Sequence, residues 1–348
     1  MKPSNVRRAT SWVASAPLRV DLAGGTLDLW PLYLMHARSS TVNVALALRA
    51  RATYEPGGRR WELRAGDHGA QLQLAHSALA DADDRSRDGD PFGLVLRVLA
   101  HTGLRPCGRL TTTVDGPSGG GLGGSSALLV ALYGLARRAT RQPLRRQGLA
   151  SVACDLEAQL LGVPTGIQDY YPAIYGGALQ LHYGPGNSRM ERLSIDLDAL
   201  EQRLLLVYSG KPHASAPSNW RLYRRRIDGD PVARDGFEAI ARAAGAAGEA
   251  IRHSDWPALG RAMRADWKAR QAIDATLAPI DLRRLERAGM EAGALAAKGC
   301  GAASGGCMVF LLGDPQERAV VTAAVEAVGG QVLPVRVARS GLRIRRAG

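Results

Sequence analysis

Only four cysteines occur in 348 residues, and Cys107, Cys154, Cys300 and Cys307 form no C-x-x-C pair and stand near no histidine at zinc spacing. Neither a disulfide framework nor a metal ribbon is signalled. No apolar run approaches the ~18 residues that span a bilayer. The opening MKPSNVRRAT is followed by no apolar stretch of signal-peptide length, so the expected location is cytoplasmic. Nothing repeats at a short period, which excludes collagen-like, mucin-like and coiled-coil chains. Lysine is as scarce as cysteine: Lys2, Lys211, Lys268 and Lys298 leave 41 of the 45 basic residues to arginine. The formal net charge of +13 could advertise a polyanion. Its runs (Arg7-Arg8, Arg137-Arg138, Arg145-Arg146, Arg224 to Arg226, Arg343 to Arg346) are short and dispersed, with no aromatic-studded stripe between them. They read as solvated helix faces, and no nucleic-acid partner is expected.

What is present fits a soluble globular chain, with 46% hydrophobic and 22% charged residues and 41 Gly and 18 Pro for tight turns. At roughly 150 residues per domain the length allows about two domains. SAPLRVDLAGG, from Ser15, alternates like a strand and stops at glycines. Thr41 to Tyr54 sets Val42, Val44, Leu46 and Leu48 against small or polar neighbours, the period-two pattern of a strand with one buried face. Shorter strands are predicted at 61–64, 70–75, 108–114 and 178–182. Helices are predicted at 92–100, from Ser125 through SSALLVALYGLARRA, and over about 147–161, ended by Gly162-Val163-Pro164. DADDRSRDGD (81–90) lacks the glycine and closing Glu of a calcium loop and reads as a solvated loop. Beyond an apolar run at 203–210, residues 235–295 read as mostly helical. CMVFLL (307–312), a helix at 315–328 and a last strand QVLPVRVA close the pattern. A boundary near residue 195 divides 11–195 from 196–340.

Four segments could carry chemistry. PSGGGLGGSSALL (117–129) places five glycines before two serines that open a helix, so unobstructed amides and the positive end of a helix dipole make a phosphate cradle. It is neither a Walker loop, lacking Gly-Lys-Ser/Thr, nor a Rossmann fingerprint. In DLEAQLLGVPTGIQDYYPAIYGG (155–177), Glu157 lies on a helix and could join Ser126 in holding Mg²⁺, a hard ion suited to carboxylate and hydroxyl oxygens. Asp169 lies in a turn where a carboxylate could accept a proton. Taken alone, each acid is more often a solvated or salt-bridged surface group. KGCGAASGGCMVFLL (298–312) permits close backbone approach to a ligand or to the other loop, or is only a tight connection. Arg19 and Asp28 flank the AGG turn, where a surface charge is the alternative.

In this order, SAPLRVDLAGGTLDL, PSGGGLGGSSA, GVPTGIQD and KGCGAASGGC resemble the GHMP kinases, which include galactokinase, homoserine kinase, mevalonate kinase and phosphomevalonate kinase. The resemblance covers nearly the whole chain. LAGGTLDLWPLY, GIQDYYPAIYGG, LLLVYSGKPHAS and RADWKARQAI look most like the D-glycero-D-manno-heptose 7-phosphate kinase branch, which shares features with fucokinases. The resemblance implies an α+β, two-domain GHMP kinase fold, with a ribosomal protein S5 domain 2-like N-terminal domain, a ferredoxin-like C-terminal domain and ATP in the cleft between them. It implies ATP and Mg²⁺ as cofactors and phosphorylation of a sugar or sugar phosphate at the anomeric hydroxyl. The expected phosphate loop is Gly119, Gly120, Gly121, Leu122, Gly123, Gly124, Ser125 and Ser126. Ser126 and Glu157 match the magnesium ligands, Asp169 the catalytic aspartate, Arg19 the arginine that orients the reacting groups, and Asp28 the acid that holds sugar hydroxyls, with Gly25 in the same substrate turn.

If the substrate already carries a phosphate it needs a cationic clamp, and Lys211 with Arg221 or Arg224 is the expectation for it. Gly120 and Gly124 replace hydroxyl residues usual in the family's loop, and Ala303 and Ser304 stand where the third motif usually has glycines. Thr26-Leu27 replace a Gly-Thr beside the sugar, and His213 stands about where an arginine is common. Other classes stay in view: a catalytically silent relative, an enzyme that phosphorylates only transiently as diphosphomevalonate decarboxylase does, and a nucleic-acid binder. Self-association as a homodimer is left open.

Overall fold

The computed structural model describes residues 10–79, 89–186, 188–212, 215–301 and 306–347, with the side chains of 215–219 excepted. Most of the acidic stretch 81–90, His213, Ala303 and Ser304 lie outside the described residues. In chain order the strands are β1 (Trp12–Ala23), β2 (Ser40–Pro56), β3 (Arg60–Ala65), β4 (Ala70–Ala75), β5 (Gly108–Val114), β6 (Ala178–His182), β7 (Arg189–Arg192), β8 (Leu204–Tyr208), β9 (Ala296–Gly299), β10 (Cys307–Leu311), β11 (Gln331–Leu333) and β12 (Arg343–Arg346). The helices are α1 (Gly93–Thr102), α2 (Gly124–Ala139), α3 (Arg146–Leu161), α4 (Tyr170–Tyr175), α5 (Leu197–Arg203), α6 (Ser215–Ile227), α7 (Pro231–Arg252), α8 (Trp256–Ile273), α9 (Ile280–Glu291) and α10 (Arg318–Ala327).

Among the described residues eight strands form one sheet, in the order β12-β1-β2-β5-β3-β4 with β6 on β2 and β7 on β6, and only the β3–β5 pair is parallel. The other four form an antiparallel sheet in the order β11-β8-β10-β9. Helices and sheets together make the mixed two-part fold that the sequence implied. β2 shows why pattern reading works and where it stops. Its second half alternates, with Ala50, Ala52 and Tyr54 buried between more exposed neighbours, whereas Ser40 to Leu46 is buried on both faces. There β1 and β6 flank the strand, while α2 and α7 pack on it.

Two apolar cores follow the two sheets. One gathers Leu18, Val20, Val44, Trp61, Leu129 and Leu132 around the large sheet, and the other gathers Leu205, Phe237, Trp267, Met308 and Phe310 around the small one. α7 and α8 belong to both: α7 gives Ala247 and Ile251 to the first core and Phe237 and Ile240 to the second, and α8 packs on both β1 and β9. Their starts are fixed locally: Asp230 accepts hydrogen bonds from Val232 N and Ala233 N, and Asp255 accepts from Ala258 N, each followed by a proline in the first turn.

The predicted last strand, QVLPVRVA, divides. Residues 331–333 join β8, while Val337 bridges Leu46 of β2, with Ala47 N donating to Arg336 O and Ala338 N to Ala45 O. Pro334 has no N–H with which to continue a ladder. The chain then returns to the large sheet as β12, an edge strand on β1 made from the basic run Arg343 to Arg346. Among the described residues no helix is long and apolar enough to cross a membrane.

Candidate active site

The site starts from two irregularities in β1, whose register against β2 shifts between Pro17 and Arg19 and again between Asp21 and Ala23. Bulges of this kind re-aim side chains. Arg19 and Asp21, two apart on one strand face, are both buried. The Arg19 guanidinium forks onto Asp169, with Nε donating to Oδ1 at 2.7 Å and Nη2 to Oδ2 at 2.8 Å, and its Nη1 donates to Gly121 O at 2.5 Å. One arginine thus ties the predicted base to the predicted phosphate loop. The Arg19 side chain is 4% exposed and that of Asp169 20%, so the carboxylate is the member of the pair that faces the cleft. Burial raises the Asp169 carboxyl, and Arg19 pulls it down without cancelling that rise. Burial alone would lower Arg19, but Asp169 and Asp21 outweigh it and raise its pKa far above the usual value.

The loop 119–126 runs from β5 into α2. Gly123 takes a left-handed φ of +69° at the helix N-cap, and no side chain caps α2. The helical ladder begins with Ala127 N donating to Gly123 O. The N–H groups of Gly124, Ser125 and Ser126 therefore have no carbonyl of their own helix to bond. Asp230 and Asp255 close the starts of α7 and α8 with their own carboxylates; α2 leaves its dipole open to an anion. The third glycine segment presses on this loop. A Cβ on Gly121 would lie 2.6 Å from Cys300 O, one on Gly301 2.8 Å from Gly121 O, and Cys307 N donates to Gly120 O.

Glu157 of α3 comes under the same helix start. It accepts from the Ser126 hydroxyl at 3.0 Å and from the Ser125 and Tyr170 hydroxyls. Burial raises its pKa, and the Ser125 and Tyr170 hydroxyls act in the opposite direction. A carboxylate beside two serine hydroxyls is a donor set that fits Mg²⁺. Among the described residues no group of three or more His, Cys, Asp or Glu could hold a metal, so waters and phosphate oxygens would supply the rest of such an ion's ligands.

Asp28 closes the other side. Its Oδ2 accepts from Gln168 N at 3.0 Å, and Gly166 lies so close that a Cβ there would be 1.9 Å from that oxygen. Burial pushes the Asp28 carboxyl up to about 6, with the Gln168 amide opposing and Asp169 adding to the shift. Gly25 packs over Arg270, Asp21 and Gln168, where a Cβ would meet Arg270 Nη2 at 2.3 Å.

Arg19, Asp28, Gly119 to Ser126, Glu157 and Asp169 all line one cleft of about 540 Å³. Lys211 does not join them: its side chain is 67% exposed and Nζ pairs with Asp281 at 2.6 Å. Arg221 is engaged by Asp274 and Thr276, and Arg224 is exposed, so the expected phosphate clamp is not assembled in the cleft. Gln168 and Tyr170 were missed although they flank Asp169. Gln168 Oε1 is buried without a hydrogen-bond partner among the described residues, and their only sequence signal was adjacency to the predicted acid.

Residues 92–177 match the family described as GHMP kinases N terminal domain, and residues 247–331 match GHMP kinases C terminal. The chain is 26% identical over 337 residues to D-glycero-alpha-D-manno-heptose 7-phosphate kinase of Campylobacter jejuni, covering 94% of this chain and 96% of that protein. It is 28% identical over 351 residues to mevalonate kinase of Aeropyrum pernix, covering 97% and 99%. Among solved structures, a D-glycero-D-manno-heptose 1-phosphate kinase from Bacteroides thetaiotaomicron superposes with a TM-score of 0.74 at 21% identity, covering 97% of this chain and 99% of that one. Lactococcus lactis galactokinase in complex with galactose superposes with a TM-score of 0.75 at 16% identity, covering 96% and 95%.

Proposed function

Because the chain belongs to the GHMP kinase family, we propose that its cleft transfers the γ-phosphoryl group of ATP to the anomeric hydroxyl of a sugar or sugar phosphate. The reading is supported by similarity over nearly the full chain to a heptose 7-phosphate kinase. The observation that carries it is the Arg19–Asp169 fork joined through Nη1 to the glycine loop.

Phosphoryl transfer asks a protein to position groups and stabilise charge. The free amides at the start of α2 receive phosphate oxygens, and the glycines let the backbone approach them closely. Asp169 takes the proton of the attacking hydroxyl, and its raised pKa strengthens it as a base. Arg19 fixes the carboxylate's direction and offsets negative charge at the moving phosphoryl group. Asp28 and Gln168 hold sugar hydroxyls beside the reacting one. Glu157 and Ser126 would hold Mg²⁺, whose contribution would be to neutralise phosphate charge. Of the two proposed domains, 11–195 supplies nearly all of the cleft's lining and 196–340 supplies Gly301.

The test is an ADP-release screen over hexoses, heptoses, their phosphates, fucose, homoserine and mevalonate, followed by ³¹P NMR of the product. A sugar or sugar phosphate phosphorylated at its anomeric oxygen is expected. Turnover confined to homoserine or mevalonate would contradict the acceptor class, and no ATP consumption with any acceptor would contradict the kinase reading.

A further inference from the structure

Behind the cleft lies a second group of charges, which meets the site directly where Asp21 Oδ1 stands 3.9 Å from Arg19 Nη1. Asp21 of β1, Asp266 and Arg270 of α8 and Lys298 of β9 are all buried, at 0% exposure by residue. Lys298 Nζ stands 2.5 Å from Asp21 Oδ2 and 3.5 Å from Asp266 Oδ2. Arg270 Nε donates to Asp266 Oδ2 at 3.1 Å, and its Nη2 is 3.8 Å from Asp21 Oδ2. Two acids and two bases make a set without net charge, drawn from both sheets.

Burying such a set seldom stabilises a protein more than apolar residues of the same volume would. What it adds is direction, and here its remaining bonds converge on two glycine turns. Asp21 Oδ1 accepts from Gly301 N at 2.8 Å, and Arg270 Nη1 donates to Gly301 O at 3.1 Å, so charged groups hold both backbone polar atoms of one residue. Asp266 Oδ1 accepts from Gly24 N at 2.7 Å in the turn that leads to Asp28. Gly301 in turn abuts Gly121, whose carbonyl accepts from Arg19.

We propose that Asp21, Asp266, Arg270 and Lys298 are positioning residues: they lock Gly301 against Gly121 and so set the shape of the 119–126 loop, making nucleotide affinity depend on charges that touch no nucleotide. This deepens the kinase reading and rests on it for the identity of the nucleotide. The chain of contacts runs from Lys298 and Arg270 through Asp21 and Gly301 to Gly121 and Arg19. Coupling carried through such linked contacts is commonly worth a few-fold to some tens of fold in affinity.

The test compares Asp21→Leu/Lys298→Met, which removes one acid and one base together, with the wild type. Three quantities are read: the melting temperature, the Kd of MgADP by calorimetry, and amide hydrogen exchange of peptides covering 119–126. Since the remaining pair is neutral, Tm should stay within about 5 °C. MgADP should bind at least about tenfold more weakly, and the 119–126 amides should exchange faster although they lie far along the chain from both substitutions. Wild-type affinity with wild-type exchange would overturn the proposal, because a merely space-filling network predicts that result. If the double variant does not fold, Asp21→Asn serves, with a weaker MgADP Kd and faster exchange expected and no change in both overturning it. If the wild type itself fails to bind MgADP, the kinase reading fails, and the exchange result alone decides the positioning claim.

Discussion

Asp28→Asn separates a residue kept for function from one kept for stability. Asp28 is 4% exposed, and burial moves its carboxyl from 3.8 to about 6. In the folded state the protonated form is therefore favoured by about 3 kcal/mol relative to the unfolded chain. The folded state holds the extra proton, so this contribution is fully present below about pH 4 and is lost as pH rises through about 6. At neutral pH the fold carries an ionised, buried carboxylate at that cost. Asparagine removes the titration. Any fixed penalty for seating its amide is the same at every pH and cancels when the variant is compared across pH. The difference in unfolding free energy between Asp28→Asn and wild type, measured by urea titration at pH 4 and pH 8, should shift in the variant's favour by about 2–3 kcal/mol. Acceptor turnover should be lost while MgADP still binds. A stability difference that is flat between those pH values would refute the reasoning, because it would mean that Asp28 is hydrated or paired well enough to ionise normally.

Gly121→Ala forces a Cβ to within 2.6 Å of Cys300 O at a φ of +71°. The left-handed backbone alone costs about 1–2 kcal/mol, and because the obstruction is backbone, one of the two loops must move. MgADP affinity should fall about tenfold or more, read by calorimetry. Gln168→Leu removes the buried, unpartnered Oε1 that can accept from a substrate hydroxyl. Losing such a bond is worth about 1–3 kcal/mol, so kcat/KM for the sugar should drop roughly tenfold to a hundredfold with the Kd of MgADP unchanged.

How much of this could be read beforehand follows from the range of the interactions concerned. Local rules sufficed for β5 at 108–114 and β6 at 178–182, which match the predicted bounds, and for the glycine loop opening α2. Glu157 and Asp169 could be singled out because their neighbours mark a helix and a turn. Arg19 and Asp28 carry no local signal of burial, and only the family resemblance singled them out: their partners Asp169 and Gln168 lie far along the chain. β9 went unpredicted: AAKG is four residues with a lysine, and carboxylates from other elements, Asp21 of β1 and Asp266 of α8, make that lysine tolerable in a buried strand. The run Arg343 to Arg346, which reads as a solvated helix face, is instead an edge strand on β1, where one-sided pairing leaves no alternation of apolar residues to mark it. Lys211 was singled out on scarcity, and scarcity carries no geometry; Asp281 takes its charge instead.

The most direct measurement is single-turnover phosphoryl transfer by Asp169→Asn alongside its MgATP affinity. Asparagine keeps the shape of the side chain and can still accept from Arg19, but it cannot take up the hydroxyl proton. The account predicts MgATP bound within about threefold of wild type and transfer slower by about 10²–10⁴-fold, the usual worth of a positioned general base. A variant that binds MgATP and transfers phosphate at close to the wild-type rate would contradict it.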